Sequence, residues 1–513
     1  MSLRQKLFTT SGLNLLDYAV RFGTVLIISP FLINQLGKET YGFWVVMVSV
    51  IGYLDLLDLG LSQTALRYLS RSLEQKSADG STGNYFTYFG RLYLRIGFGS
   101  LLLTILGAWS VPWFVDDPET IRQARLVLLL TGVPLSLAFF FRVHRTLIRS
   151  HVLYGRTIAA GLLRTVVYTA GILIFIPRDP QVTTLAIIWS AGIVTEQIIL
   201  VWWARDLVPA RGDIRPLPAA ERREVRHFAG KMIGWSIASF LRGRIDSQIL
   251  AAYVSTTAVT HYSVGSRFIQ MFTDVVNAIF GGHFLAGFAR VHARDGQAGA
   301  VDLFLSTLRA CAPLALVAGT AIFFLGPPFI DRWLGEGFEE SHLVIRILAI
   351  PTTFMLMQYP LGSFLGSQNR HGAMAAVSFA GGLLNLVASL ILVRYLGFSG
   401  VIVSTAAELS LTALVLWPAI ARTKGRVPLL AYSRALFLPV LILLPAIVAG
   451  GALVHFVRPT TFPSLIACGA GMGLAFLINT WALLLTPAER AYLARFRPGK
   501  GRRPDDDAPA ASA

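Results

Sequence analysis

The residues of this chain that could do chemistry are charges stranded in apolar sequence. Arg21, Arg164, Arg242, Arg244 and Arg267 stand inside long hydrophobic runs, as do Asp17, Asp55, Asp58, Glu196, Asp246, Asp274 and Glu408. A charge at the centre of a bilayer costs roughly 2.5–3.5 kcal/mol on the insertion scale, so such residues face a bundle interior or an aqueous cavity. Asp17 and Arg21 are spaced i, i+4 and can pair along one helix face, and Arg242 and Asp246 repeat that spacing. Arg267 and Asp274 share a face at i, i+7. Two roles stand open for the arginines. They can close internal ion pairs, or they can receive an anion. The five arginines outnumber the acids near them, and excess buried cation without an anion is unfavourable. Guanidinium pairs bidentately with phosphate oxygens, so a diphosphate is the natural ligand. The acids divide between carriers of a coupling proton or sodium ion and plain structural partners. Asp55 and Asp58 fall at i, i+3 in Tyr53–Leu61, inside an expected span, so no capping role is expected of them. Arg91 and Arg95, at the start of the third span, read as side chains snorkelling to the interface. No nucleotide-binding loop or Ser/His/Asp arrangement is present, and no catalytic residue, metal ligand or resident cofactor is assigned. Cys311 and Cys468 lie in apolar runs and read as small hydrophobic residues.

The elements that must position these charges are membrane helices. Of 513 residues 54% are hydrophobic and 14% charged, where a soluble chain carries about a quarter charged. Fourteen apolar stretches predict an all-α polytopic membrane protein, since a crossing takes about 20 residues. They fall near 11–34, 41–68, 86–113, 121–147, 156–177, 183–204, 228–253, 256–289, 303–330, 341–366, 372–396, 399–420, 432–456 and 463–485. Alternate loops are rich in arginine, including Arg142, Arg145, Arg149 and Arg156 at the junction of spans four and five. That asymmetry predicts cytoplasmic amino and carboxyl termini. It also explains the net charge of +17 without a nucleic-acid partner. The first span is too long for a cleaved signal and is read as retained.

Paired landmarks recur at an offset of about 220 residues, the mark of parallel internal repeats. Tyr41 matches Tyr262, Gly155 matches Gly372, and Arg21 matches Arg242; Glu196 and Glu408 pair at a similar offset. The expected organisation is an amino-terminal lobe over 1–204, a cytoplasmic connector over 205–227 and a second lobe over 228–425. Two further helices over 426–490 and a disordered tail over 491–513 complete it. Pro30, Pro134, Pro351, Pro360 and Pro439 are expected to break helical ladders locally.

The stretch Asn34–Trp44, running on to Ile51–Leu61, resembles the polysaccharide-biosynthesis (Wzx-like) flippases of the multidrug/oligosaccharidyl-lipid/polysaccharide exporter superfamily. Arg244–Ser247 and Val259–Val264 are similar to that family's segment between spans seven and eight. The resemblance implies two six-helix lobes around a central cavity of alternating access. It implies a polyprenyl-diphosphate-linked oligosaccharide moved from the cytoplasmic to the periplasmic leaflet of a bacterial inner membrane. A polysaccharide polymerase and a chain-length regulator are the implied partners, besides membrane lipid. Three alternatives remain at this level: a peptidoglycan lipid-precursor flippase, a multidrug or cation exporter of the same superfamily, and a membrane enzyme acting on polyprenyl-linked glycans. The short outer loops lack a catalytic constellation, which disfavours the enzyme.

Overall fold

A computed structural model describes residues 3–58, 60–74, 81–209, 216–227, 245–280, 283–368, 370–485 and 490. Every regular element among these residues is helical, and eleven stretches are long and apolar enough to cross a membrane. The expected spans one and two are two helical segments within Leu3–Gly52 (together α1), separated by non-helical backbone at Gly37, where φ is +79° and ψ +162°. Glycine adopts that conformation without the steric cost any other residue would meet.

Span two does not run on as the sequence suggests. A 3-10 turn over Tyr53–Asp58 and Gly60, at φ +72°, separate α1 from α2 (Leu61–Glu74). Asp58 closes that break, accepting from the backbone N–H of Ser62 at 3.2 Å and its hydroxyl at 2.8 Å. The expectation that Asp55 and Asp58 lie within a continuous helix, away from any end, is thus corrected. A short carboxylate competes for backbone donors and stabilises the start of the next helix instead.

The next helices are α3 (Ser81–Ser110), α4 (Pro118–Ser150), α5 (Tyr154–Phe175) and α6 (Val182–Ala204). Asp117 caps α4 by accepting from Thr120 N at 2.8 Å, and these bonds hold its carboxyl below the usual range. Of span seven, only α7 (Asp246–Tyr253) falls among the described residues. It is followed by α8 (Thr256–Phe280) and by α9 (His283–Leu334), which turns at Gly296 with φ +69°. Span ten divides into α10 (Glu339–Met357) and α11 (Pro360–Ser367). Pro360 starts the second piece, where a missing N–H costs nothing. The others are α12 (His371–Leu396), α13 (Phe398–Leu411), α14 (Trp417–Thr423), α15 (Leu429–Val457) and α16 (Phe462–Asn479). Wider π turns over Thr412–Leu416 and Thr480–Leu484 follow α13 and α16. Pro30, Pro134, Pro351 and Pro439 all lie inside helices. The expected tail over 491–513 lies outside the described residues.

The two halves of the chain meet along α1, which packs against α8, α7 and the end of α9. Ile28, Leu32, Tyr41 and Trp44 of α1 share a core with Leu250, Val259, Tyr262 and Phe268. Polar contacts fasten the Gly37 end of this seam. Lys38 Nζ donates to the Gly337 carbonyl at 2.5 Å and stands over the Phe338 ring, while Thr260 Oγ1 donates to the Lys38 carbonyl at 2.5 Å. Trp333 Nε1 reaches the Leu26 carbonyl at 2.6 Å and Gln248 reaches Ser49 at 2.7 Å. At Gly42 the two helices approach so closely that a Cβ would overlap the Thr256 carbonyl. The part of the connector before α7 folds back on the first half, with Tyr85 donating to Glu221 at 2.6 Å and Tyr68 to Glu224 at 3.0 Å.

Gly42→Ala is therefore expected to push α1 off α8 and destabilise the purified protein by about 1–3 kcal/mol, the usual cost of overpacking. Gly23→Ala is the control, since a Cβ there meets nothing within 4 Å. Apparent melting temperatures in detergent compare the two; equal values would show that the seam tolerates a methyl group.

Candidate functional site

The first polar centre is built around Glu196, carried into the bundle by α6. Its side chain is 6% exposed and takes two guanidinium groups: Arg145 of α4 at 2.5 Å and Arg164 of α5 at 3.3 Å. Those arginines are 36% and 39% exposed, so their far edges face open space while the acid does not. Arg164 also stands 5.8 Å from the Trp189 ring centroid. Gly192 brings α6 against Arg164, whose Cγ a Cβ there would meet at 3.3 Å.

Arg21 joins this group from α1. A Cβ at Gly161 would lie 3.2 Å from Arg21 Nη2 and 4.0 Å from Glu196 Oε1, so that glycine admits both groups to one place. Arg21 Nε also donates to Asp17 at 3.0 Å, the pair that the i, i+4 spacing allows, and the guanidinium side chain stays 60% exposed. Three guanidiniums thus stand with two carboxylates. Each guanidinium carries five N–H donors, more than the carboxylates occupy. Arg145 was legible only as a basic residue at the end of span four. Its spacing of three from Arg142 and four from Arg149 on one helix face is the signal that could have placed it inward.

Arg142 forms a second centre with Asp55 at 2.8 Å and Asp58 at 3.3 Å, its guanidinium 4.2 Å from the Phe139 ring centroid. Ser62 links Asp58 to Tyr93, with 2.9 Å between the hydroxyls. This centre ties α1, α2, α3 and α4 together at the break after Asp58.

The third centre lies in the second half and differs in chemistry. Asp246, buried at the start of α7, accepts from the Tyr262 hydroxyl, from Asn385 Nδ2 at 3.2 Å and from Thr405 Oγ1 at 3.1 Å. The Thr405 hydroxyl, with one proton to share, also has Asn385 Oδ1 at 3.3 Å and the Val401 carbonyl at 3.0 Å as alternative acceptors. Glu408, one turn further along α13, is buried and accepts from Thr412 at 2.9 Å. Gly381 leaves room for its carboxylate, which a Cβ there would overlap. Arg267 reaches Ser29 of α1 at 3.4 Å, and Asp274 accepts from Gln270 at 2.8 Å. Arg242 and Arg244 lie outside the described residues, and with them the expected pairing of Arg242 with Asp246. Among the described residues no three His, Cys, Asp or Glu side chains converge as metal ligands.

This architecture has known counterparts. The family described as "Polysaccharide biosynthesis protein" matches residues 35–343, more than half of the chain. The chain belongs to that family. It is 23% identical over 504 residues to "Uncharacterized membrane protein EpsK" of Bacillus subtilis (strain 168), spanning 92% of this chain and 94% of that one. Among solved structures it resembles the lipid II flippase MurJ in an inward closed conformation. That match has a TM-score of 0.67 at 10% identity and covers 91% of this chain and 98% of MurJ. An inward-facing multidrug resistance MATE family transporter of the MOP superfamily aligns with TM-score 0.64 at 14% identity, over 81% of this chain and 99% of that one. The protein is a multi-pass membrane protein of polysaccharide biosynthesis with the fold of this flippase and transporter superfamily.

The Glu196 centre makes a stability prediction. Arg145→Ala or Arg164→Ala alone leaves the buried carboxylate one partner, and the protein should fold with a modestly lower melting temperature. Removing both strands the charge, which costs about 3–5 kcal/mol for a broken buried pair. Size-exclusion profiles after heating read the difference; a double variant no worse than the singles would show that another group holds Glu196.

Proposed function

We propose that this chain is a flippase for a polyprenyl-diphosphate-linked oligosaccharide, moving it from the cytoplasmic to the periplasmic leaflet of a bacterial inner membrane by alternating access. The observation that carries this reading is the gathering of Arg145 and Arg164 on the buried Glu196, with the Asp17-paired Arg21 beside them at Gly161 and all three guanidinium side chains partly exposed. Glu196 offsets enough charge for the arginines to stand in the bundle, and the remaining N–H groups suit phosphate oxygens. Arg267, and Arg242 and Arg244 beyond the described residues, are further candidates from the second half. The sugars occupy the aqueous space and the isoprenyl tail stays among apolar side chains. The lobes over 1–204 and 228–425 are the bodies that rock, and the seam at the Gly37 end of α1 must part for release to the far leaflet. Both termini are assigned to the cytoplasm. Transport needs no bond-making step, so no catalytic residue is assigned. A polymerase and a chain-length regulator are the expected partners in handling the product.

Coupling is assigned to the second half. Asp246, Asn385 Oδ1, Thr405 Oγ1 and the Val401 carbonyl supply hard oxygen atoms that include one carboxylate, a donor set suited to a sodium ion or a proton rather than a transition metal. A peptidoglycan precursor carries the same diphosphate chemistry, and the resemblance to the fold of MurJ keeps that cargo as the second reading. Identifying the lipid that accumulates on depletion separates the two.

Two experiments test these assignments. Arg21→Ala should abolish surface glycan while the protein still inserts, and Arg21→Lys should rescue only partly, because the planar fork is lost. If Arg21→Ala combined with Asp17→Ala restores glycan, Arg21 serves the scaffold and the diphosphate role would be falsified. Asp246→Asn should remove the dependence of transport on an imposed ion gradient while substrate binding stays measurable. Gradient dependence equal to wild type would exclude Asp246 as the coupling group.

A further inference from the structure

A groove on the outside of the bundle has no part in the proposed transport path. It lies where α3 meets the connector, has a volume of about 240 Å³, and is lined chiefly by Thr87, Tyr88, Arg91, Arg95, Leu217 and Arg222. Arg91 and Arg95 project from one face of α3 at i, i+4, about 6 Å apart. Arg222 comes from a segment distant in sequence, held by the burial of Leu217 and Val225 and by the bonds of Tyr85 to Glu221 and Tyr68 to Glu224. Those bonds occupy one oxygen of each neighbouring acid, and neither acid lines the groove. Among the described residues none of the three arginines forms an ion pair. Snorkelling alone accounts for Arg91 and Arg95 but not for a third cation brought to the same place by a docked connector.

The surface continuing from the groove is apolar. Phe98, Leu102, Ile105 and Trp109 follow Arg91 and Arg95 on the same face of α3 and are all exposed, at 62%, 57%, 50% and 62%. From Arg95 to Trp109 this stripe runs about 21 Å along the helix, more than the roughly 15 Å depth of one leaflet's hydrocarbon. Three cations at its head and an acyl-length apolar track below them match one ligand class. We infer that this groove binds the phosphate of an anionic glycerophospholipid, with an acyl chain laid along α3, at the end of the bundle that carries the arginine-rich loops. Basic pockets at the membrane interface hold such headgroups by charge and by donor geometry. The bound lipid would also brace the connector against the first half, since it bridges Arg222 to Arg91 and Arg95.

The full chain, purified in detergent and incubated with equimolar phosphatidylglycerol and phosphatidylcholine, is examined by native mass spectrometry. Wild type should retain phosphatidylglycerol several-fold over phosphatidylcholine, and added phosphatidylglycerol should raise its melting temperature. The combined variant Arg91→Gln, Arg95→Gln and the single variant Arg222→Gln should each lose most of that preference while eluting as wild type. Arg422→Gln, an exposed arginine outside the groove, should keep it. Equal retention in the groove variants, or equal loss in Arg422→Gln, overturns the proposal. So does protection by sodium phosphate alone, which would make the ligand a free anion, or displacement of phosphatidylglycerol by polyprenyl phosphate at equal concentration, which would make it a carrier-lipid site.

Discussion

The pairing of Glu196 with Arg145 and Arg164 is the interaction on which the first half of this protein depends. A lone guanidinium deep in an apolar bundle is costly, and so is a lone carboxylate; together they neutralise most of the penalty and keep a polar centre where lipid would otherwise exclude one. The geometry is asymmetric. The acid is enclosed by α4, α5 and α6, and the arginines reach it from the open side. The carboxylate therefore fixes the orientation of its partners and leaves part of each guanidinium side chain exposed. Arg21 adds a third guanidinium from α1, the helix that also forms the seam between the halves.

In the second half, Asp246 accepts from hydroxyl and amide groups among the described residues, donors that solvate a buried carboxylate. Glu408, at a similar offset from Glu196, is also buried and accepts from Thr412 in the space left by Gly381. Among the described residues, the first half presents guanidinium groups around its buried acid and the second presents hydroxyl and amide donors around its own.

Much of the fold was legible because helix length and apolar composition answer to the thickness of a bilayer. α5, α6, α12 and α15 begin and end within three residues of the expected limits. The failures share a cause. The break between α1 and α2 depends on Asp58 capping Ser62 and on a positive φ at Gly60, local hydrogen-bond choices that hydropathy does not register. At Gly296, by contrast, the non-helical backbone falls inside the gap expected between the spans near 256–289 and 303–330. At the site, the spacing of Asp17 and Arg21 was sufficient to suggest their pair. Arg145 carried only the weak signal of its spacing from Arg142 and Arg149, because whether an arginine near a helix end points to water or inward is decided by Glu196, on another helix and 51 residues away.

α1 carries Arg21 toward one end and the Gly37–Gly42 seam toward the other, with Pro30 between them. Proline removes one ladder bond and crowds the preceding turn, so bending is least resisted there. A bend at Pro30 moves Arg21 relative to the Gly37–Gly42 seam, and the non-helical backbone at Gly37 lets the seam segment keep its own direction. The polar centre and the close helix contact at Gly42 are thus carried by separate straight segments joined through two weak points.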